Sequence, residues 1–196
     1  MENTFLPLIF RMKHIYRWGL KYNTQQEDLM QHTTECAFLT NYLAIIGNRY
    51  FNKKYDVNKI TVCALYHDIT EVLTGDIPTP IKYYNDDTKA IYKHLENAAS
   101  EEIKKRLPSD LKQDYAVYLD ANNLSDEEKK LIKISDKLCA YIKCIHEMRV
   151  GNNEFQTAHM GIEKEIKNIE SEELNYFLDH CLASFSLSLD DLKSSL

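Results

Sequence analysis

VNKITVCALYHDITE, residues 57–71, is the stretch in which fold and chemistry show together. Val57, Ile60, Ala64 and His67 recur in steps of three and four, the spacing of one helix face, with no period-two alternation. Asp56 stands just before them, where a carboxylate can accept the first free N–H groups of a helix. Worked outward, the same period appears almost everywhere. Phe5, Leu8, Ile9, Met12, Ile15 and Tyr16 outline a first helix ending near Trp18-Gly19. A second runs from about Gln31 to Phe51, with His32, Cys36, Leu39, Leu43 and Ile46 on one stripe. Downstream, Thr74-Gly75-Asp76-Ile77-Pro78-Thr79-Pro80 must break the run, because Pro removes donors and Gly frees φ. A long charged helix follows from about Asp87 to Leu107, stopped by Pro108, and a shorter one from Leu111 to Leu119. Ser125 and Glu128 have capping-box spacing before Leu131, Ile134, Leu138, Ile142 and Ile145, and Gly151 is placed to end that helix. Helices near Glu154–Ile169 and Glu172–Phe185 and a short helical tail complete an expected all-α, single-domain chain without repeats, low-complexity tracts or dividing linkers.

Bulk composition narrows the class. The 196 residues suit one domain, and five Gly and four Pro leave room for long uninterrupted elements. The net charge is −6, and lysines are interleaved with acids, as in Asp126-Glu127-Glu128-Lys129-Lys130, which reads as a solvated helix face. No basic face for a nucleic-acid polymer is expected, because phosphate neutralisation dominates such binding. A small anionic substrate stays open, since a metal ion and one arginine reverse a local field. Cys36, Cys63, Cys139, Cys144 and Cys181 are odd in number and form no CxxC pair, so reduced, mostly core cysteines and a cytoplasmic location are expected. Met1-Glu2-Asn3-Thr4-Phe5 has neither the basic start nor the apolar run of a signal peptide. No stretch approaches the ~20 apolar residues of a membrane span.

His67 prolongs the inward line of its helix, Asp68 adjoins it, and Glu71 falls on the same face if the helix continues. An inward His, Asp and Glu within five residues cost several kcal/mol of desolvation unless compensated. A divalent cation compensates all three; a satisfied core histidine beside a helix-end carboxylate pair is the plainer alternative. His32 opens the apolar stripe of the second helix, and imidazoles plus a carboxylate from separate helices are a common ligand supply for a catalytic metal. A core or capping histidine has the same pattern. Asp136 lies at the border of an apolar and a lysine-bearing face, where spacing alone leaves it solvated.

His32, His67-Asp68 and Asp136 resemble the H…HD…D set of the HD-domain phosphohydrolases, and more closely the bacterial 5′-deoxynucleotidases of the YfbR type. The similar stretches are Tyr16-Arg17-Trp18, the run from Tyr66 through Ile77-Pro78-Thr79-Pro80 to Tyr83, Ser125 to Lys129, Asp136 to Cys144, Gly151 to Phe155 and the tail from Phe185 to Asp190. The likeness runs nearly end to end. It implies one HD-type helical domain over residues 1–196, with an HD core at about 30–145 and C-terminal helices at 154–196 packed on it. It implies that His32, His67, Asp68 and Asp136 hold one divalent metal, that Glu71 acts near the attacking water, and that Arg17 holds the phosphate. Trp18 with Asp76, Ile77, Pro78 and Thr79 would shape the sugar pocket, and the chain would form a homodimer. The family usually has Glu before the first ligand histidine; Gln31 stands there, which removes a charge bearing on metal affinity and pH optimum rather than on ligation.

These roles make chemical sense. A phosphomonoester repels hydroxide until its charge is neutralised, and a metal does this while lowering the pKa of water. Co²⁺ is expected to support activity, and Mn²⁺, Fe²⁺ or Zn²⁺ also suit two His and two Asp. Arg17 has a planar fork matched to phosphate, though a surface cation reads the same in sequence. Trp18 also reads as a core aromatic, and residues 75–80 as merely a rigid turn. The expected activity is therefore metal-dependent hydrolysis of deoxyribonucleoside 5′-monophosphates, selective against ribonucleotides. Two alternatives stand beside it: another HD activity, on nucleoside triphosphates or guanosine alarmones, and a catalytically silent nucleotide-binding regulatory module. Extra phosphates call for extra cations, and a silent module for a damaged ligand set; this acidic chain offers one evident phosphate-binding arginine and retains all four ligand residues.

Overall fold

The computed structural model describes residues 3–82 and 84–194, so Met1, Glu2 and Tyr83 of the stretches read above, with Ser195 and Leu196, lie outside it. The described residues contain helices and 3₁₀ turns but no strand, as the periodicity requires. α1 (Phe5–Ile9) passes into a 3₁₀ turn, Phe10–His14. The first helix thus stops well short of Trp18. Apolar spacing could not show that the next residues have a different backbone partner. Ile15 is extended, the Leu29 amide donates to the Ile15 carbonyl at 2.9 Å, and the Arg17 amide donates to Glu27 at 2.9 Å around a Tyr16–Asp28 antiparallel bridge.

α2 (Leu29–Tyr50) begins two residues before the expected start because Asp28 caps it, its carboxylate accepting from the Gln31 amide. α3 (Val57–Leu65) is capped by Asp56, which accepts from the Lys59 amide. The turn-rich segment holds two single-turn helices, α4 (Glu71–Thr74) and α5 (Thr79–Lys82), separated by Gly75 at φ 76°. α6 (Asp86–Lys105) and α7 (Lys112–Leu119) follow. α8 (Asp126–Arg149) starts with both halves of the Ser125–Glu128 capping box formed and ends at Gly151, φ 86°. α9 (Gln156–Lys167), α10 (Glu172–His180), a 3₁₀ turn at Leu182–Ser186 and α11 (Leu189–Ser194) close the chain.

Two apolar clusters organise these helices. The larger joins α2, α3, α8 and α10 through Leu43, Ile60, Leu138 and Leu174, all fully buried. The smaller ties the N-terminal turns to α6 and its C-terminal flank through Phe5, Met12, Leu29, Ile69, Ile103 and Leu107. His32 follows Leu29 of the smaller cluster and precedes Cys36 of the larger; His67-Asp68 lies between Ala64 of the larger and Ile69 of the smaller. The polar residues therefore occupy the seam between two greasy bodies. All five cysteines are unpaired, four of them buried. Among the described residues no helix is long and apolar enough to cross a membrane.

α2 also contains its own packing constraint. A Cβ on Gly47 would stand 2.6 Å from Tyr55 Cε2 and 3.0 Å from Glu173 Oε1. Tyr55 has little freedom to yield: its hydroxyl donates to Glu173, and its amide and carbonyl are both bound by Asn48. Gly47→Ala is therefore expected to destabilise the protein by about 1–3 kcal/mol, since overpacking outweighs the gain of about 1 kcal/mol in helix propensity. Urea unfolding followed by circular dichroism measures it; an unchanged or raised midpoint would show that Tyr55 moves aside freely.

Candidate active site

The HD pair does not sit in a continuing helix. After Leu65 the backbone tightens to i+3 bonds, from Tyr66 to Cys63, Ile69 to Tyr66 and Glu71 to Asp68. This turn keeps His67 in line with Ala64, whose carbonyl lies 2.7 Å from its Nδ1. Donation from Nδ1 to that carbonyl fixes the tautomer and leaves the Nε2 lone pair free. Nε2 is buried without a hydrogen-bond partner and stands 3.1 Å from Asp68 Oδ2. From α2, His32 Nε2 lies 3.5 Å from Asp68 Oδ2 and 3.2 Å from Asp136 Oδ1 of α8. Both nitrogens of His32 also lack hydrogen-bond partners. One ligand atom from each of His32, His67, Asp68 and Asp136 thus falls within 4.8 Å of all the others. Close, non-hydrogen-bonding nitrogen and carboxylate atoms are what a shared cation demands, and this set can hold one.

Electrostatics agrees. Burial opposes charge on His32, yet the Asp136 and Asp68 carboxylates lift it to about 9. Burial likewise opposes charge on His67, and Asp68 lifts it to about 10. Asp68 is itself held well below the carboxylate range because His67 and His32 outweigh its burial. The seam draws positive charge. Asp136, which spacing left in solvent, has a side chain 44% exposed but turns Oδ1 into the set.

Arg17 closes the cluster from the N-terminal side, its Nη1 3.6 Å from Asp68 and Nη2 3.9 Å from Asp136. Its Nε donates to Glu27 Oε1 at 2.8 Å. Glu27, 5% exposed, carries no sequence signal, because residues 20–28 are aperiodic and mostly polar. Gln31 points away, donating to Glu35 at the surface.

A cavity of about 580 Å³ adjoins this cluster, sharing Arg17 and Asp136 with it. Trp18, Asp76, Ile77, Pro78 and Thr79 line it, and Ala140 of α8 with Ala158 and Gly161 of α9 form a small-residue far wall. Trp18 is held at φ 60°, a costly conformation for a bulky residue, with its ring 5.2 Å from Phe155 and its indole N–H buried without an acceptor. Lys21 and Lys137 also line the cavity, but each is in an ion pair, with Glu154 and Glu165. Glu71, at the start of α4, is not among the residues lining the cavity, but it lies within electrostatic reach of Asp68, Asp76 and Arg17. Its Oε2 is buried without a partner, and burial, Asp68 and Asp76 push its carboxyl up to about 8 against the pull of Arg17.

Comparison with known proteins places the chain as a whole. A HD-domain phosphohydrolase from Listeria innocua superposes with a TM-score of 0.81 at 22% identity, covering 97% of this chain and 92% of that one. A cyanophage S-2L HD phosphohydrolase, bound to dA and one catalytic Zn²⁺ ion, superposes at 0.62 with 18% identity over 92% of this chain and 95% of that one. These show the fold. In sequence, a 5′-deoxynucleotidase of Pectobacterium atrosepticum is 41% identical over 97% of this chain and 96% of that protein. One from Yersinia pestis is 43% identical over 96% and 95%. The profile of the YfbR-like 5′-deoxynucleotidases matches residues 4–185, and with relatives this similar over nearly their whole length, the chain belongs to that family.

Proposed function

We propose that this chain hydrolyses deoxyribonucleoside 5′-monophosphates to deoxyribonucleosides and phosphate, with one divalent metal held by His32, His67, Asp68 and Asp136. The observation that carries this is the four-residue ligand set opening, past Arg17, onto a nucleotide-sized cavity. A divalent ion supplies Lewis acidity toward the phosphate and draws down the pKa of water there. The protein's own residues do the rest. Arg17, fixed at Nε, turns its remaining N–H groups toward the cluster and binds phosphate oxygens as a planar fork. Glu71 accepts the proton of the attacking water, a task suited to a carboxyl tuned close to neutrality. The strained Trp18 and the Asp76–Thr79 wall press on the sugar, where a 2′-hydroxyl meets steric rejection. Triphosphates or alarmones fit less well, because Lys21 and Lys137 are already paired. The silent-module alternative fares no better, with a ligand set this closely assembled.

Co²⁺ is the expected activating ion, Mn²⁺, Fe²⁺ and Zn²⁺ being compatible with the same donors. The five unpaired cysteines suit a cytoplasmic protein. The whole chain reads as one domain, residues 30–145 forming the HD core and 154–196 packing on it. A homodimer is supported by Phe38, Tyr42 and Ile45, an exposed apolar stripe on α2, beyond the C-terminal helices.

Phosphate release from dAMP and AMP, with chelator and with added Co²⁺, tests the reading. Chelation should abolish turnover, Co²⁺ should restore it, and dAMP should be preferred on the order of 10–10²-fold. Chelator-resistant turnover removes the metal from the chemistry; equal rates on the two sugars remove the deoxy preference and leave a phosphohydrolase.

A further inference from the structure

We infer that Glu27 is a positioning residue that sets the phosphate-binding arginine and a metal-binding histidine as one unit, an inference that rests on the functional reading above. Glu27 holds Arg17 at two points. Its carbonyl accepts from the Arg17 amide at 2.9 Å and its Oε1 accepts from Arg17 Nε at 2.8 Å. A guanidinium fixed at Nε has only its terminal nitrogens left to aim, and these face Asp68 and Asp136. Neutralising a buried arginine does not require Glu27, because those two carboxylates already lie 3.6 and 3.9 Å away. What Glu27 adds is direction.

The same oxygen, Oε1, stands 3.7 Å from His32 Nδ1, the nitrogen turned away from Asp68 and Asp136. A carboxylate there favours the proton on Nδ1 and leaves Nε2 as the donor atom toward the cluster. One buried carboxylate thus faces both the group that would grip phosphate and the group that would grip the ion. The Tyr16–Asp28 bridge holds the two backbone segments that bring them together.

Glu27→Gln and Glu27→Ala distinguish direction from mere packing. The readouts are calorimetric binding of inorganic phosphate to the Co²⁺-loaded protein and retention of Co²⁺ against a competing chelator, with thermal unfolding alongside. Both affinities should weaken roughly 10–100-fold in Glu27→Gln, as for other groups that orient metal ligands, with little change in melting temperature. Glu27→Ala should weaken both at least as much. A folded Glu27→Gln that keeps both affinities within about threefold, or loses only one, overturns the inference. A wild-type protein that retains no Co²⁺ overturns the reading of the site itself, and this inference with it.

Discussion

Asp68→Ala is expected to lower kcat for dAMP by about 10³-fold or more and to strip the protein of metal without loss of helix content. Asp68 Oδ2 is the hub of the cluster, within 3.1–3.6 Å of His67, His32 and Arg17. On the proposed reading, removing it takes away one ligand and the negative charge that faces His32, His67 and Arg17. If the metal contributes several kcal/mol to transition-state charge stabilisation, its loss corresponds to the stated factor. Stability responds separately. In metal-stripped protein, His32 and His67 titrate near 9 and 10 against about 6.5 unfolded. Raised folded values mean stability that is complete below pH 6.5 and lost as the pH climbs through 9–10. In Asp68→Ala that slope should flatten, chiefly through His67, because Asp68 is the main group lifting it while Asp136 still lifts His32. Steady-state rates, metal analysis and melting temperatures from pH 6 to 10 measure all three effects. Retained turnover with retained metal would place the chemistry elsewhere.

Glu71→Gln should separate catalysis from folding in the opposite sense. Loss of a general base costs about 10²–10⁴-fold in kcat, while KM and metal content should stay close to wild type. Glu71 is a poor structural residue: its Oε2 has no partner, and its carboxyl is pushed up to about 8 by burial, Asp68 and Asp76. A carboxyl whose folded value is raised binds its proton more tightly in the native state, so native stability falls as the pH rises from about 4.5 to 8. A neutral amide removes that cost. Metal-stripped Glu71→Gln should therefore melt higher than wild type above pH 8 while being nearly inactive, the pattern of a residue kept for function at the expense of stability. An active variant, or one that melts lower, would make Glu71 an ordinary structural acid.

How much of this was legible depended on which backbone partner each segment has. α2, α3 and α8 satisfy their backbones internally, so period, caps and the inward placement of His32 and His67 were readable from the residues. Spacing puts Ile15–Arg17 in a helix, whereas its backbone partner, Glu27–Leu29, lies ten or more residues away and carries no periodic signal. Asp136 was obscured by its neighbours: lysines at 133 and 137 make its face look solvated, and only the convergence of α2 and α8 gives it a role. Family resemblance supplied Asp136 and Arg17; neither resemblance nor spacing supplied Glu27.

The four side chains of the proposed ligand set grade from closed to open: His32 is 1% exposed, His67 14%, Asp68 23% and Asp136 44%. Exposure thus rises toward Asp136, the one of these four side chains that also lines the cavity, so water and solutes reach the set most readily from that side.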